Sequence, residues 1–204
     1  MLALLRCFTW CLARLPLRLV LWKGRCWGAL FNLLGVRQRR RADLHLSWCL
    51  PDLPLAERRA IRRRMFQQLG LNTAELLRWM GGGGAELLSR VRLEGAEHME
   101  AARAQGRGVV VLTAHLGNFD LMGVWAAARY PLTIISKVIK NEALNRFWME
   151  KRAAAGLQIV PARNSYRACL AVLKKGGLLG FILDQNMIAA EGIFVNFFGR
   201  PACT

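Results

Sequence analysis

The sequence predicts an α/β fold: a mostly parallel sheet flanked by helices, preceded by an N-terminal helical region. Between residues 108 and 183, short apolar segments rich in β-branched residues alternate four times with longer segments of helical period. Consecutive strands separated by helices pair in parallel, because the crossover places each helix on a face of the sheet. The first third of the chain lacks this alternation and contains Leu, Trp and Arg in helical patterns instead.

Each element of the α/β part has its own start and stop signals. The predicted strands are 108–114, 132–138, 157–161 and 177–183. Short polar side chains that cap helices precede each intervening helix, at Asn118, Asn141, and either Asn164 or Ser165. The residues that end these helices are Pro131, Gly156 and Gly176. A buried parallel sheet explains why the strands are apolar on both faces.

The composition combines an apolar chain with strong positive charge. The 204 residues include 30 Lys and Arg against 13 Asp and Glu, a net charge of +17, and 54% are hydrophobic. A disordered basic tail is poor in apolar residues, so this chain folds. Its charge favours an anionic partner, which is either a membrane surface or a nucleic acid.

The apolar and basic residues concentrate together at the N-terminus. Residues 1–64 carry 14 basic and 3 acidic side chains, a net charge of +11. In residues 1–36 the apolar runs are interrupted by Arg6, Arg14, Arg18, Lys23 and Arg25. This pattern favours a membrane-binding helix in the lipid interface, with Arg side chains reaching the head groups. A tilted single span is the alternative, with Arg37 to Arg41 on the cytoplasmic side.

Three regions follow from these shifts in composition. Residues 1–36 form a membrane-associated helix, 37–84 a basic helical region, and 85–204 the α/β core. The middle region contains a turn at 51–54 and a helix reaching about Met80, and the glycines 81–84 break the chain after it.

The cysteines and histidines do not form a metal site in the sequence pattern. Six cysteines are present without a C-x-x-C pair, and only three histidines accompany them. Zinc-ligand spacing is therefore absent, we expect no metal, and a reducing compartment is the simplest interpretation.

The segment from Thr113 to Asp120 carries the strongest chemical signal. His115 follows a predicted strand, and Asp120 lies in the first turn of the next helix. A turn through Gly117 would let Asp120 reach one imidazole nitrogen, while the other nitrogen takes a proton from a substrate hydroxyl. The alternative is that His115 merely ends a strand and Asp120 merely favours the helix dipole.

Other polar residues are candidates for substrate binding. Arg152 and Arg163 could hold a phosphate through the planar guanidinium, although either could also be a solvated surface residue. Asp184 and Gln185 end a strand at the same predicted edge as His115, where they could order the acceptor or cap their own turn. We expect Phe194, Phe197 and Phe198 to belong to the core rather than to an acyl-chain pocket.

These segments together resemble the bacterial lipid A biosynthesis acyltransferases, the lauroyl and myristoyl transferases. The family's H-x-G-N-[WF]-E motif is matched by His115, Gly117, Asn118, Phe119 and Asp120. Further matches, in order, are Cys49-Leu50-Pro51, Glu57-Arg58, Arg152 with Gly156, Asp184-Gln185, and the block from Gly192 to Thr204. Single motifs are weak, but six in the same order are specific.

The resemblance implies an enzyme at the cytoplasmic face of the bacterial inner membrane. It implies a fatty acyl donor on acyl carrier protein, which is strongly acidic, or on coenzyme A, with no cofactor or metal. It also implies a lipid A precursor or related glycolipid as acceptor, His115 and Asp120 as catalytic pair, and Gly117 and Asn118 beside the substrate. Family members continue beyond the Thr204 position, so the chain is expected to lack a C-terminal part.

Two departures keep other functions open. Asp120 stands where the lipid A branch usually has Glu, and Asp is usual in glycerophosphate acyltransferases, so a lysophospholipid or glycerol phosphate is an alternative acceptor. His45 stands where the family commonly has Asn. A non-catalytic basic protein that binds membranes or nucleic acid is a further alternative; the apolar N-terminus argues against nucleic acid.

Overall fold

The structure is a computed structural model and describes residues 2–204. Its helices are α1 (Leu2–Arg14), α2 (Leu17–Leu34), α3 (Val36–Cys49), α4 (Leu55–Met80), α5 (Ala85–Leu88), α6 (Ala96–Ala104), α7 (Phe119–Ala127), α8 (Glu142–Ala154) and α9 (Tyr166–Lys174). Its strands are β1 (Val109–Thr113), β2 (Leu132–Ser136), β3 (Gln158–Pro161), β4 (Leu178–Ile182), β5 (Phe194–Phe197) and β6 (Arg200–Cys203).

The chain divides into two compact units. One, the α/β unit, comprises Ala85–Asp184 with the N-terminal residues up to Arg6. The other, the helical unit, comprises Cys7–Gly84 and Gln185–Thr204. The sequence assigned the last stretch, from Gln185 onward, to the α/β core, whereas its contacts group it with the N-terminal helices.

The α/β unit contains the parallel sheet that the sequence predicts. Its four strands are all parallel and lie in the order β1-β4-β2-β3. Helices α7, α8 and α9 are the crossovers between consecutive strands. The predicted α/β class with a mostly parallel sheet and flanking helices is therefore confirmed.

The register brings the carboxyl ends of the four strands level. Thr113 at the end of β1 lies opposite Ile182 at the end of β4, and Ser136 of β2 lies opposite Pro161 of β3. Ile134 lies opposite Gly180, so Ser136, two residues further on, comes level with Ile182. Residues just beyond these ends consequently form one edge of the sheet.

One face of the sheet packs against a core centred on buried leucines. Leu132, Leu157 and Leu178 are 6%, 4% and 1% exposed. Residues packed against them include Met99 of α6 and Ala126 of α7. This burial fixes the sheet from which the site residues project, since apolar burial is the main stabilising contribution.

Strand β1 differs from the fully buried strand that its sequence predicts. It is an edge strand with one neighbour, and its alternate residues Val110 and Leu112 are 49% and 67% exposed. An edge strand need not have both faces covered, and a β-branched run cannot reveal which strand lies at the edge. The prediction of burial is therefore wrong for one face of β1.

The N-terminal region consists of two helices where the sequence indicated one. Helix α1 ends at Arg14 and α2 begins at Leu17, with Pro16 between them. Proline has no backbone N–H and disfavours a helical residue before it, which explains the break. No helix within residues 2–204 combines the length and hydropathy that crossing a bilayer requires.

Helices α2 and α4 pack closely through small residues. A side chain at Gly28 would overlap the carbonyl oxygen of Phe66, and one at Gly24 would come within 2.9 Å of the Ala74 Cβ. Glycine at these positions lets the two backbones approach each other. The interface is completed by Phe66, which is 2% exposed and meets Phe31 edge to ring.

Two buried arginines hold the helical unit together. Arg62 of α4 donates to both carboxylate oxygens of Asp43 on α3, at 2.6 Å for Oδ1, and to Asn32 Oδ1 at 3.1 Å. Arg78 donates to the carbonyl oxygens of Leu12 and Leu15 near the end of α1. These contacts give hydrogen-bond partners to buried guanidinium N–H groups and to carbonyl oxygens near the end of α1, which would otherwise be costly to bury.

The last two strands form an antiparallel hairpin, β5 with β6. Phe194, Phe197 and Phe198 are 64%, 58% and 57% exposed, so the expectation that they belong to the core is wrong. A two-stranded hairpin has too few neighbours to bury an aromatic on both of its faces.

Candidate active site

His115 lies at the carboxyl edge of the sheet, two residues beyond the end of β1. Its side chain is 30% exposed, which leaves it accessible to a substrate. The Phe119 ring approaches the imidazole edge to face, with centroids 4.7 Å apart and planes at 74°. Phe119 is the first residue of α7, so the helix restricts the orientation of the imidazole from one side.

Asp184 holds the imidazole and the backbone of His115. Asp184 Oδ1 lies 2.7 Å from His115 Nδ1, and Oδ2 accepts from the His115 backbone N–H at 2.8 Å. Asp184 lies two residues beyond the end of β4, the strand adjacent to β1, so the level strand ends bring the two residues together. With Nδ1 bonded to a carboxylate, Nε2 is the imidazole nitrogen left to accept a proton.

The contact with His115 lowers the pKa of the Asp184 carboxyl group. Burial raises the pKa of Asp184, but the hydrogen bonds from the His115 ring and backbone N–H outweigh it, and the net pKa is below its usual value. Asp184 is therefore ionised wherever His115 would act as a base. A carboxylate in this position fixes the imidazole tautomer and stabilises the imidazolium.

Asp120 does not occupy the position on His115 that the sequence predicted for it. Asp120 Oδ1 accepts a short hydrogen bond from Arg152 Nη2. The two side chains are 15% and 12% exposed, so they form a largely buried ion pair. The first turn of α7 carries Asp120 towards α8, whereas β4 carries Asp184 to the imidazole.

Arg152 is also held by two further groups. Its Nη1 donates to Ser136 Oγ at the end of β2 at 3.2 Å, and its guanidinium lies over the Trp148 ring at 4.8 Å from the centroid. These contacts link α7, α8 and β2. Arg152 is therefore engaged within the protein, and the expectation that it is available to a substrate phosphate loses its support.

Gly117 and Asn118 shape the loop between His115 and α7. Gly117 has φ +60°, a left-handed conformation that glycine adopts without strain. The Asn118 side chain accepts from the Leu121 N–H at 3.3 Å and caps α7, as its position predicts. Both residues thus have structural reasons for their identity, independent of any contact with substrate.

The two remaining predicted site residues, Arg163 and Gln185, are both exposed but lie in different units. Arg163 is exposed, two residues beyond the end of β3, on the same edge of the sheet as His115. Gln185 is exposed and follows Asp184 directly, as the first residue of the helical unit's C-terminal part.

The sequence indicated the edge of the sheet but not the pairing of its residues. Asp184 was placed at the same edge as His115, yet nothing in the sequence showed that β4 lies beside β1. Ser136 and Trp148 were not singled out at all, because both lie in segments with ordinary strand and helix patterns. No cluster of three or more His, Cys, Asp or Glu residues in the described chain could hold a metal ion.

Comparisons with known proteins identify the family. The family model described as bacterial lipid A biosynthesis acyltransferase matches residues 2–204. A Haemophilus influenzae "Lipid A biosynthesis acyltransferase" is 25% identical over 175 residues, which are 82% of this chain and 53% of that protein. The Escherichia coli "Lipid A biosynthesis palmitoleoyltransferase" is 26% identical over 195 residues, 93% of this chain and 61% of that protein.

A relative with a different printed acceptor also matches. The Mycobacterium tuberculosis "Phosphatidylinositol mannoside acyltransferase" is 29% identical over 121 residues, 57% of this chain and 38% of that protein. The chain spans less than two thirds of the length of each of these three relatives. Since the family model matches nearly every residue, the chain belongs to the bacterial lipid A biosynthesis acyltransferase family.

Proposed function

We propose that this protein transfers a fatty acyl group from an acyl carrier protein thioester to a hydroxyl of a lipid A precursor or related glycolipid. The observation that carries the proposal is the His115 imidazole, bonded by Asp184 through Nδ1 and accessible at the carboxyl edge of a parallel sheet. Open α/β sheets bind their ligands at this edge.

The transfer proceeds in one addition and one elimination. The acceptor hydroxyl oxygen attacks the thioester carbonyl carbon, a C–O bond forms, and His115 Nε2 takes the hydroxyl proton. The carbonyl reforms as the C–S bond breaks, and the thiolate recovers the proton from the imidazolium. General-base assistance of this kind contributes about 10²- to 10⁴-fold in rate. No acyl-enzyme and no cofactor enter this sequence.

The two carboxylates have separate roles in this proposal. Asp184 orients the imidazole and stabilises its positive charge during proton transfer. Asp120 acts through Arg152, because their ion pair fixes the start of α7 and with it the loop through Gly117 and Asn118 that carries His115. That loop lies next to His115 in sequence and contacts the acceptor.

The acceptor class is supported by the printed functions of the relatives. Two of them are named for lipid A biosynthesis, and the mycobacterial relative is named for a phosphatidylinositol mannoside. These names support a lipid A precursor or a related glycolipid as the acceptor. A lysophospholipid or glycerol phosphate is the alternative acceptor. The donor presents a thioester to the same base whether it is acyl carrier protein or coenzyme A.

The N-terminal helices support a location at the cytoplasmic face of the bacterial inner membrane. Large apolar side chains exposed on them include Trp10, Trp22, Leu30, Phe31 and Leu34. Basic side chains lie between these apolar ones, as at Arg18 and Lys23. Such helices bind anionic bilayers by inserting apolar groups while cations meet the head groups. A nucleic-acid partner would leave the apolar side chains without a role.

The decisive experiment compares histidine variants in a transfer assay. Membranes carrying the 204-residue chain are supplied with labelled acyl carrier protein and a tetra-acylated lipid A precursor. We expect His115→Gln to lower the rate by about 10²- to 10⁴-fold. His98→Gln is the matched control, because the His98 side chain is 87% exposed on α6, away from the strand ends.

Each outcome decides a different element of the proposal. Equal rates for the parent and His115→Gln would refute the role of His115 as base. If a lysophospholipid is acylated and the lipid A precursor is not, the base stands and the acceptor class is wrong. Equal losses in His115→Gln and His98→Gln would attribute the effect to the fold rather than to proton transfer.

A further inference from the structure

We propose that Lys137, Lys140, Arg163 and Arg167 form a cationic row, at the same edge of the sheet as His115, that binds a phosphate group of the acceptor. This inference rests on the proposed function, because it assigns the acceptor-binding side of the same site. The row takes the place of Arg152 as phosphate ligand, because Nη1 and Nη2 of Arg152 already donate to Ser136 and Asp120.

The level strand ends place Lys137 and Arg163 on one edge, and Lys140 lies in the loop between β2 and α8. Lys137 follows Ser136 at the end of β2, and Arg163 lies two residues beyond the end of β3. In the order β1-β4-β2-β3, the residues beyond the strand ends run from His115 through Asp184 to Lys137 and Arg163. With neighbouring strands about 4.8 Å apart, β2 and β3 lie roughly 10 and 14 Å from β1.

The backbone after β3 keeps two arginines near this edge. Asn164 has φ +56°, a left-handed conformation that reverses the chain immediately after Arg163. Asparagine tolerates this conformation better than most residues with a side chain. Helix α9 begins at Tyr166, so Arg167 lies in its first turn, four residues from Arg163.

The four cations have no carboxylate partner among the described residues. No ion pair within residues 2–204 involves Lys137, Lys140, Arg163 or Arg167, and all four are exposed. The carboxylates Asp184 and Asp120 are bonded to His115 and Arg152, and Glu142, two residues after Lys140, forms no ion pair within residues 2–204. A divalent anion can therefore bind without displacing an existing ion pair.

The chemistry of the row favours a phosphate over the thioester carbonyl and the acyl chain. The guanidinium presents paired N–H donors that match two phosphate oxygens, and the ammonium groups add charge without a fixed orientation. The thioester carbonyl and the acyl chain carry no charge that would need these cations. The strands carrying the row are separated from His115 by one or two strands, which suits a phosphate on the acceptor away from the reacting hydroxyl.

The test measures binding, so it does not depend on turnover. Neutral-detergent micelles carry either a phosphorylated lipid A precursor or the same glycolipid with its phosphates removed. We expect the double variant Arg163→Gln/Arg167→Gln to raise the Kd for the phosphorylated form by about tenfold or more, because charge-assisted hydrogen bonds are lost. The Kd for the dephosphorylated form should not change.

The matched control lies at the opposite edge of the sheet. Lys174 and Lys175 at the end of α9 precede β4, and replacing both with Gln removes the same charge. We expect this pair to change the Kd less than about twofold. Equal weakening by both double variants would show non-specific charge attraction and overturn the row, as would an equal loss for the dephosphorylated glycolipid.

A third variant separates this inference from the proposed function. His115→Gln should bind phosphorylated micelles as the parent does while losing transfer. One outcome is that His115→Gln retains transfer while Arg163→Gln/Arg167→Gln raises the Kd for the phosphorylated glycolipid alone. In that case the base assignment fails and the phosphate row stands. If transfer depends on His115 but neither double variant raises the Kd for the phosphorylated glycolipid alone, the row is wrong and the base stands. Thermal unfolding of each variant confirms that it is folded.

Discussion

The β1–β4 edge and the α7–α8 contact each hold an aspartate against a cation, but in different surroundings. At the edge, Asp184 and His115 have side chains 38% and 30% exposed. Between the helices, Asp120 and Arg152 are 15% and 12% exposed. The first pair contains an imidazole, which can accept and return a proton, and it is reached by solvent, whereas the second pair contains a guanidinium, which only donates hydrogen bonds. The proposed mechanism therefore assigns proton transfer to the first pair and positioning to the second.

The largest expected effect tests which aspartate serves the base. Asp184→Asn should lower kcat by about 10²- to 10⁴-fold, because the amide no longer stabilises the imidazolium or selects its tautomer. Transfer rates measured beside unfolding curves separate this effect from loss of fold. If Asp120→Asn lowers kcat more than Asp184→Asn at equal folded fraction, the imidazole is held by Asp120 during catalysis.

The second prediction concerns the stability of the buried pair. Arg152→Met should lower the free energy of unfolding by about 3 to 5 kcal/mol, because it leaves the Asp120 carboxylate buried without a counter-charge. Urea unfolding in detergent micelles measures this. The control is Arg146→Met on the same helix, whose exposed side chain should matter by less than about 0.5 kcal/mol. Adding Asp120→Asn to Arg152→Met should recover part of the loss, and no recovery would contradict the pairing.

A smaller effect is expected in the loop that joins the two regions. Gly117→Ala should cost about 1 to 2 kcal/mol, because its φ of +60° is strained for a residue with a Cβ. Gly123→Ala in α7 is the control: its Cβ would meet only Leu157 Cδ2 at 4.0 Å, so better helix propensity should stabilise the protein. Equal losses from both substitutions would exclude backbone strain as the cause.

The smallest effect is the acid dependence of the exposed pair. Because the folded-state pKa of Asp184 lies below its usual value, its ionised form stabilises the fold above the unfolded pKa, about 3.9. That contribution is lost as the pH falls through the lowered pKa. The stability difference between the parent and Asp184→Asn should therefore shrink in acid below about pH 4. A difference that grows with acid would contradict the sign of this shift.

Sequence patterns were sufficient for the four strands of the parallel sheet and the three helices between them. The predicted strand 177–183 contains β4 at Leu178–Ile182, and the Asn141 cap precedes α8 as expected. Local signals specify these elements, because capping and β-branched runs act over a few residues. Pro16 is also a local signal for the break between α1 and α2, but the prediction of a single helix did not use it.

By itself the sequence determined that a histidine and several acids and bases follow strand ends of a parallel sheet, and to which family they belong. Only the tertiary structure decided which acid meets the histidine. Strand order is set by long-range burial rather than by any local pattern, and here it inserts β4 between β1 and β2. Asp184, 69 residues from His115 along the chain, thereby comes within hydrogen-bonding distance of the imidazole. Asp120, five positions away, is turned by its own helix towards Arg152 instead.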